Sequence, residues 1–269
     1  MKKRLAILDM NNDVPNQGLR CIKEIVETYE DVIDFKIYNV RGKNELPDTT
    51  YDIYISSGGP GSPLEDGEWR KPYLDLMQEL WDINKTDTPE KKHVFFICYS
   101  FQVICHYFEL GTIKPRKSTS FGILKVHKTP NGELDIILKD LPDPYYAVDS
   151  RDFQLIQPRL KVFKEHGAKI LSLEKIRTYV ELERAIMAVR FSDEFVGTQY
   201  HPEAEPLSME DYFRKEENRE KVVTNFGIKK YNQMMERIND PDKIEITYNT
   251  ILPSFINNAL KHKLVEQPV

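Results

Sequence analysis

The sequence has few cysteines, no long apolar run and no excess of basic residues, and each shortage excludes a class of protein. Its 3 cysteines are too few, and odd in number, for a disulfide framework, which favours a reducing compartment such as the cytoplasm. No apolar run approaches the roughly 18 residues that a membrane span needs. Lys and Arg total 38 against 43 Asp and Glu, and the resulting net charge of -5 argues against a general nucleic-acid-binding surface. We therefore expect a soluble protein that binds neither nucleic acid nor membrane.

The first part of the chain alternates strand-like and helix-like segments. Apolar strand patterns occur at 4–8, 32–40, 52–56 and 93–97, and the helical spacing at 19–29 is typical of the segments between them. This alternation predicts an α/β fold with a mostly parallel central sheet flanked by helices. From 118 to 199 the pattern becomes strand-rich and includes a strand at 135–138.

After residue 206 the pattern is mostly helical. One apolar stripe covers 221–238, and a second run covers 244–260 with an interruption at Pro253. The sequence therefore predicts a domain over 1–205 and a helical C-terminal extension over 206–269. The stripe must be buried, either against the chain's own sheet and helices, or as a cap on a cleft or a subunit interface.

A strand–turn–helix pattern centres on Cys98. The apolar strand 93–97 ends immediately before this cysteine, and a helical pattern begins at Tyr99. Such an elbow lifts a nucleophile out of a sheet, and the adjacent helix N-terminus favours a thiolate. The alternative is that Cys98 is a small buried apolar residue, as Cys21 and Cys105 are expected to be.

A histidine suited to pair with a cysteine nucleophile follows the last predicted strand. His201 stands beside Pro202, and Glu203 could accept a proton from one imidazole nitrogen and fix the tautomer. The alternative is a loop with an exposed acid.

The third feature is the glycine loop 57–62, which follows a predicted strand. Its main-chain N–H groups could approach a ligand closely, so the loop is either an oxyanion site, a phosphate site or a plain turn. It lacks the Lys-Ser/Thr ending of a P-loop and the spacing of a dinucleotide fingerprint.

In this order the three segments resemble the class I (triad) glutamine amidotransferases, in particular the amidotransferase domain of GMP synthase. The resemblance covers roughly 1–205 and implies a flavodoxin-like fold. It also implies Cys98 as nucleophile, His201 as base, Glu203 as its orienter, and the N–H groups of Gly59 and Tyr99 as oxyanion hole. Gln102 would help to hold the substrate.

Two positions depart from the family pattern. The family usually has glycine two residues before and after the nucleophile, where this chain has Phe96 and Ser100. The segment with Ser150 and Arg151 replaces a Ser-x-His loop that many relatives carry near the glutamine. Arg151 would either pair with a substrate carboxylate or stand in solvent.

The resemblance implies a glutaminase that forms a γ-glutamyl thioester and releases ammonia, with no cofactor and no metal. The chain lacks the ATP-binding Ser-Gly-Gly-x-Asp-Ser loop of a complete GMP synthase, so a synthetase subunit in trans is the expected partner, and a homo-oligomer is another. Two alternatives stay open, namely a γ-glutamyl peptide hydrolase or acyltransferase with the same triad, and a catalytically degenerate binding module.

Overall fold

The protein is described by a computed structural model that covers residues 2–176 and 183–261. Residues 262–269 of the predicted C-terminal extension lie outside the described residues. The strands are β1 Lys3–Asp9, β2 Ile33–Asn39, β3 Ile53–Ser56, β4 His93–Ile97, β5 Thr112–Lys128, β6 Tyr145–Ile156, β7 Lys169–Glu174, β8 Ile186–Arg190 and β9 Phe195–Thr198. The helices are α1 Gln17–Glu27, α2 Val40–Lys43, α3 Arg70–Lys85, α4 Tyr99–Tyr107, α5 Pro130–Leu134, α6 Leu160–His166, α7 Pro206–Arg214, α8 Glu216–Phe226, α9 Ile228–Ile238 and α10 Ile244–Lys261.

The nine strands within the described residues form one mixed sheet in the order β2-β1-β3-β4-β9-β8-β7-β5-β6. Pairing is parallel from β2 through β9 and antiparallel from β9 to β6. Because the carboxyl ends of parallel strands meet at one edge, the residues after β1, β3, β4 and β9 come together there. The glycine loop, Cys98 and His201 all follow these strands.

Two hydrophobic clusters lie on opposite faces of the parallel half of the sheet. Alternate residues of β1 and β4, such as Ile7 and Phe95, pack with α1 and α10 on one face. Their neighbours Leu8 and Phe96 pack with α3 and α4 on the other. The predicted α/β architecture with flanking helices is therefore confirmed.

The C-terminal helices pack against both halves of the sheet. Ile251 and Phe255 of α10 belong to the same cluster as β1, β3 and β4, so this helix completes the core. Helices α7, α8 and α9 instead bury Phe213, Val222 and Met234 against Ile123 of β5. Packing against the chain's own sheet, one of the alternatives that the sequence left open, therefore occurs.

Three local predictions were wrong, and each error has a local cause. The predicted strand at 135–138 is a turn, because the Asp135 carboxylate accepts from the Ile137 N–H at 3.1 Å and from Arg190 at 2.7 and 2.9 Å. The apolar run 221–238 is split by Gly227, whose φ of 85° ends α8 before α9 begins. Helix α10 continues through Pro253, where burial of its apolar neighbours outweighs the lost hydrogen bond.

Candidate active site

Cys98 stands at the junction of β4 and α4 with a strained backbone. Its φ of 49° and ψ of -96° lie outside the regions that ordinary L-residues prefer, which costs on the order of 1–3 kcal/mol. The surroundings hold it there, since the Cys98 N–H donates to the Thr198 carbonyl at 2.8 Å while its own carbonyl accepts from Gln102 N–H at 3.1 Å. The last hydrogen bond of the β4–β9 pair and the first hydrogen bond of α4 therefore both involve Cys98, as the predicted elbow requires.

Ser100 and Phe96 stand where the family usually has glycine, and Ser100 stabilises this elbow while Phe96 packs in the core. The Ser100 hydroxyl accepts from the Ile97 N–H at 2.9 Å and donates to the Ser56 carbonyl at 2.8 Å, which ties the turn to β3. Phe96 is fully buried in the core, with its ring 5.8 Å from the ring of Phe195. Phe96 therefore belongs to the core on the α3/α4 face of the sheet.

Gly197 on the neighbouring strand β9 packs closely against Phe96 and against the ring of Phe101. Gly197 is the register partner of Phe96, and a Cβ added at Gly197 would stand 3.0 Å from the Phe96 Cβ and 2.9 Å from the Phe101 ring.

His201 and Glu203 lie beside Cys98 in the order that the sequence predicts. His201 Nδ1 is 2.8 Å from Glu203 Oε1, and His201 also interacts with the Cys98 side chain. A β-bridge to Val148, with the His201 N–H donating to the Val148 carbonyl at 2.8 Å, fixes the backbone of His201. Gly58 leaves room for the imidazole beside the cysteine, because a Cβ at this position would stand only 2.8 Å from His201 Cε1.

The electrostatics favour a protonated His201. Burial lowers the pKa of His201, but the interactions with Glu203 and Cys98 raise it more, so that it stands well above its ordinary value. The Glu203 side chain is 1% exposed, so its charge is poorly screened by solvent. The N-terminus of α1 lies next to Glu203, because a Cβ added at Gly18 would stand 2.8 Å from Glu203 Oε1. The positive end of the helix dipole favours a carboxylate at this place.

The predicted oxyanion donors lie next to the elbow. Tyr99 is the first residue of α4, so its N–H has no partner within the helix. Over residues 2–176 and 183–261, the N–H of Gly59 donates to no main-chain carbonyl. Gly59 must be glycine, because a Cβ there would lie 2.1 Å from the Met10 carbonyl oxygen.

Arg41 holds the glycine loop 57–62 in place, and no sequence pattern had indicated this role. Its guanidinium, which is 5% exposed, donates to the Met10 carbonyl at 2.9 Å and to the Pro60 carbonyl at 2.7 Å, pairs with Glu65, and lies 4.3 Å from the centre of the Tyr99 ring. One cation thus contacts both segments that carry the predicted oxyanion donors. The available signal was its position two residues after the end of β2, at the carboxyl edge of the sheet.

Gln102 reaches the nucleophile through a second amide. Its Nε2 donates to the Phe153 carbonyl at 3.0 Å and to Gln199 Oε1 at 2.8 Å, and Gln199 Nε2 lies 3.8 Å from Cys98 Sγ. Gln199, directly before the Tyr-His-Pro-Glu segment, was not singled out in the sequence. Direct contact of Gln102 with a substrate stays a prediction.

Ser150 and Arg151 point to opposite faces of β6. The Ser150 carbonyl lies 3.9 Å from Cys98 Sγ, so this residue adjoins the site. The Arg151 side chain is 2% exposed, and its Nε donates to both carboxylate oxygens of Asp149 at 3.0 Å. Its guanidinium also pairs with Glu174 at 3.6 Å. The alternative that Arg151 stands in solvent was therefore wrong, because the alternation of side chains along β6 places it in the interior, where it pairs with Asp149 and Glu174. Its pairing with a substrate carboxylate stays a prediction.

A cavity of about 310 Å³ opens beside His201 and Ser150. Its walls come from β5, β6 and α7 and from the first turns of α1 with the loop before them, and the large apolar side chains are Phe121, Met209, Tyr212 and Phe213. The C-terminal segment therefore contributes to the cavity beside His201, whereas its role as a cap on the Cys98 cleft or as a subunit interface stays a prediction. In the described part of the chain no group of three or more His, Cys, Asp or Glu side chains could hold a metal ion. Among those same residues, no helix has the length and apolar character of a membrane span.

The site therefore contains a strained cysteine at a strand–helix elbow, a histidine with a raised pKa, and a buried carboxylate. Residues 19–217 match the family model of class-I glutamine amidotransferases. The match covers most of the chain, so the chain belongs to this family.

Solved structures share the fold at low sequence identity. A glutamine amidotransferase from Thermotoga maritima is 15% identical with a TM-score of 0.67, over 97% of this chain and 99% of that one. The glutamine amido transferase from Methylobacillus flagellatus is 12% identical with a TM-score of 0.68, over 96% and 95% of the two chains. The glutaminase domain of Trypanosoma brucei CTPS, solved with bound acivicin, is 12% identical with a TM-score of 0.55, over 75% and 86%. No curated protein matches significantly. These likenesses confirm the class I amidotransferase fold.

Proposed function

We propose that the chain hydrolyses the side-chain amide of glutamine through Cys98, His201 and Glu203. The observation that carries this proposal is the strained elbow at Cys98, with His201 held between the cysteine and the buried Glu203 carboxylate. Membership of the class-I family supports the reaction class.

In the first half-reaction the Cys98 thiolate attacks the amide carbon of glutamine. A C–S bond forms, and the N–H groups of Gly59 and Tyr99 stabilise the oxyanion of the tetrahedral intermediate. His201 then gives its proton to the departing nitrogen, the C–N bond breaks, and ammonia leaves. Its raised pKa suits this step, because the imidazolium form that donates the proton persists above the ordinary pKa of histidine.

In the second half-reaction water attacks the γ-glutamyl thioester. His201 accepts a proton from the water, a C–O bond forms, and the C–S bond breaks to release glutamate and restore Cys98. Glu203 holds one tautomer of His201 throughout. We further propose that a separate synthetase subunit consumes the ammonia, because class-I glutamine amidotransferases typically act together with a synthase partner.

The direct experiment incubates the purified chain with glutamine and measures glutamate and ammonia separately. We expect equal amounts of the two products, and we expect acid-quenched protein to carry a γ-glutamyl group on the peptide that contains Cys98. Absence of both turnover and adduct at millimolar glutamine would contradict the proposal.

Replacement of Arg41 tests whether the brace on the oxyanion loop matters for the reaction. We expect Arg41→Met to lower kcat/KM for glutamine by about 10- to 100-fold, because loss of even one oxyanion donor costs about 10²–10³ in kcat. Arg41→Lys should recover part of the loss, since it restores charge without the forked geometry. Steady-state kinetics measure both variants, with the exposed Lys71→Met as control. A normal kcat/KM in Arg41→Met would contradict this role.

A further inference from the structure

The cavity beside His201 is much larger than ammonia requires. Its volume is about 310 Å³, whereas a molecule the size of water occupies about 30 Å³ in the liquid. A volume near 300 Å³ is instead at the lower end of the range for small-molecule sites. The cavity therefore has room for a substituent on the nitrogen that leaves.

The cavity adjoins the reacting atoms through His201 and Ser150. Both residues line it, and both contact Cys98, His201 through its side chain and Ser150 through its carbonyl oxygen. Phe121 is the register partner of Ser150 in the β5–β6 pair, so these two side chains lie on the same face of the sheet. An apolar ring thus stands next to the residue whose carbonyl contacts the nucleophile.

The apolar wall is held in place before any ligand binds. The Phe121 ring stacks on Phe226 of α8 at 4.6 Å with an interplanar angle of 10°, and it meets Phe213 of α7 edge-on at 6.1 Å. Tyr212, which is 39% exposed, contacts the Phe213 ring at 5.2 Å. Preorganised aromatic walls favour a flat apolar ligand because little side-chain entropy is lost on binding.

Each charged side chain that lines the cavity has a neighbour of opposite charge among the described residues, although Glu203 Oε2 accepts no hydrogen bond from them. Glu203 faces His201, and Arg20 donates to Gln17 at 2.8 Å and pairs with Glu24. An apolar substituent can therefore enter without leaving a buried charge unpaired.

We propose that the site also hydrolyses γ-glutamyl amides whose nitrogen carries an aromatic group, with that group bound between Phe121 and Tyr212. This inference rests on the proposed function, because the same Cys98 thioester forms. The C–N bond of the substituted amide breaks, His201 protonates the departing amine, and water then releases glutamate. A γ-linked aromatic amino acid and a simple aromatic amine share this chemistry.

The test compares three γ-glutamyl amides with glutamine by measuring glutamate, the product common to all. They are the phenethylamide, the phenylalanine dipeptide and the methylamide, so the first two distinguish an amine from an amino acid as leaving group. We expect at least one aromatic amide to exceed the methylamide about tenfold in kcat/KM, because single well-placed apolar contacts discriminate by 10-fold or more. Tyr212→Ala should lower this ratio by about tenfold, and Tyr212→Phe should restore it.

The matched control is Leu207→Ala, on the same helix. Leu207 is 73% exposed and lies outside the cavity lining, so this variant should keep the parent ratio. Turnover of glutamine and the methylamide without an aromatic preference would overturn the inference and leave the proposed function intact. Turnover of none of the four would instead overturn the proposed function.

Binding to a Cys98→Ala chain separates the two failures further. Calorimetry with the phenethylamide should give a Kd about tenfold lower than with the methylamide, and Tyr212→Ala should remove the difference. Equal Kd values for the two amides would overturn the inference whatever the kinetic result.

Discussion

Cys98→Ala is expected to lower kcat for glutamine hydrolysis by about 10³-fold or more, because no other group on the elbow can form the thioester. The fold should survive, since alanine is smaller and the elbow is held by main-chain bonds and by Ser100. The measurement is ammonia release under saturating glutamine, with circular dichroism to check folding. Cys105→Ala is the matched control, because Cys105 is a fully buried core residue.

A glutamine-mimicking electrophile provides the complementary measurement. Burial raises the pKa of the Cys21 thiol to about 11 and that of the Cys105 thiol well above its usual value, so both stay protonated and unreactive near neutral pH. We expect peptide mapping to find the label on Cys98 alone. Retained turnover in Cys98→Ala, or label on another cysteine, would rule out the assignment.

His201→Ala should be almost as damaging as loss of Cys98, and Glu203→Gln should be roughly 10- to 100-fold less damaging than His201→Ala. The reason is that His201 moves the proton, whereas Glu203 orients the ring and supplies charge. Kinetics at saturating glutamine compare the two variants with the parent chain. His127→Ala, a replacement of a half-buried histidine paired with Asp143, is the control. Rates equal to the parent in both variants would leave the triad without support.

The pH profile gives Glu203→Gln a second readout that a purely structural role would not move. Glu203 raises the pKa of His201, so removing the negative charge should lower that pKa. The imidazolium would then be lost at lower pH, and the alkaline limb of kcat/KM should move toward lower pH. An unshifted limb would show that the Glu203 charge does not control His201.

The parts of the candidate site that depend on short, local segments could be predicted from the sequence. The strand 93–97 is recovered with its observed bounds, because an almost wholly apolar run before a turn has few other interpretations in an alternating chain. Cys98 and His201 follow parallel neighbours, so their meeting at one sheet edge could be inferred from topology alone.

The features of the site that could not be predicted depend on contacts between residues distant along the chain. The burial of Arg151 is set by Asp149 and Glu174 on two strands, and the brace by Arg41 depends on carbonyls of two separate loops. The aromatic wall needs α7 to fold back onto β5, which no local pattern specifies. Arg41, which acts through tertiary contacts, was therefore missed, whereas Cys98, His201 and Glu203, to which the sequence assigns the chemistry, lie together in the fold.

The close packing between Phe96 and Gly197 makes a single substitution at either position costly. A side chain at Gly197 would crowd the Phe96 carbonyl at 2.9 Å, a main-chain atom that cannot swing aside whatever residue stands at 96. Loss of the Phe96 ring would leave a hole costing about 3–5 kcal/mol, a large share of the 5–15 kcal/mol that keeps a typical domain folded. Both residues are therefore constrained by the stability of the core, independently of any chemistry at Cys98.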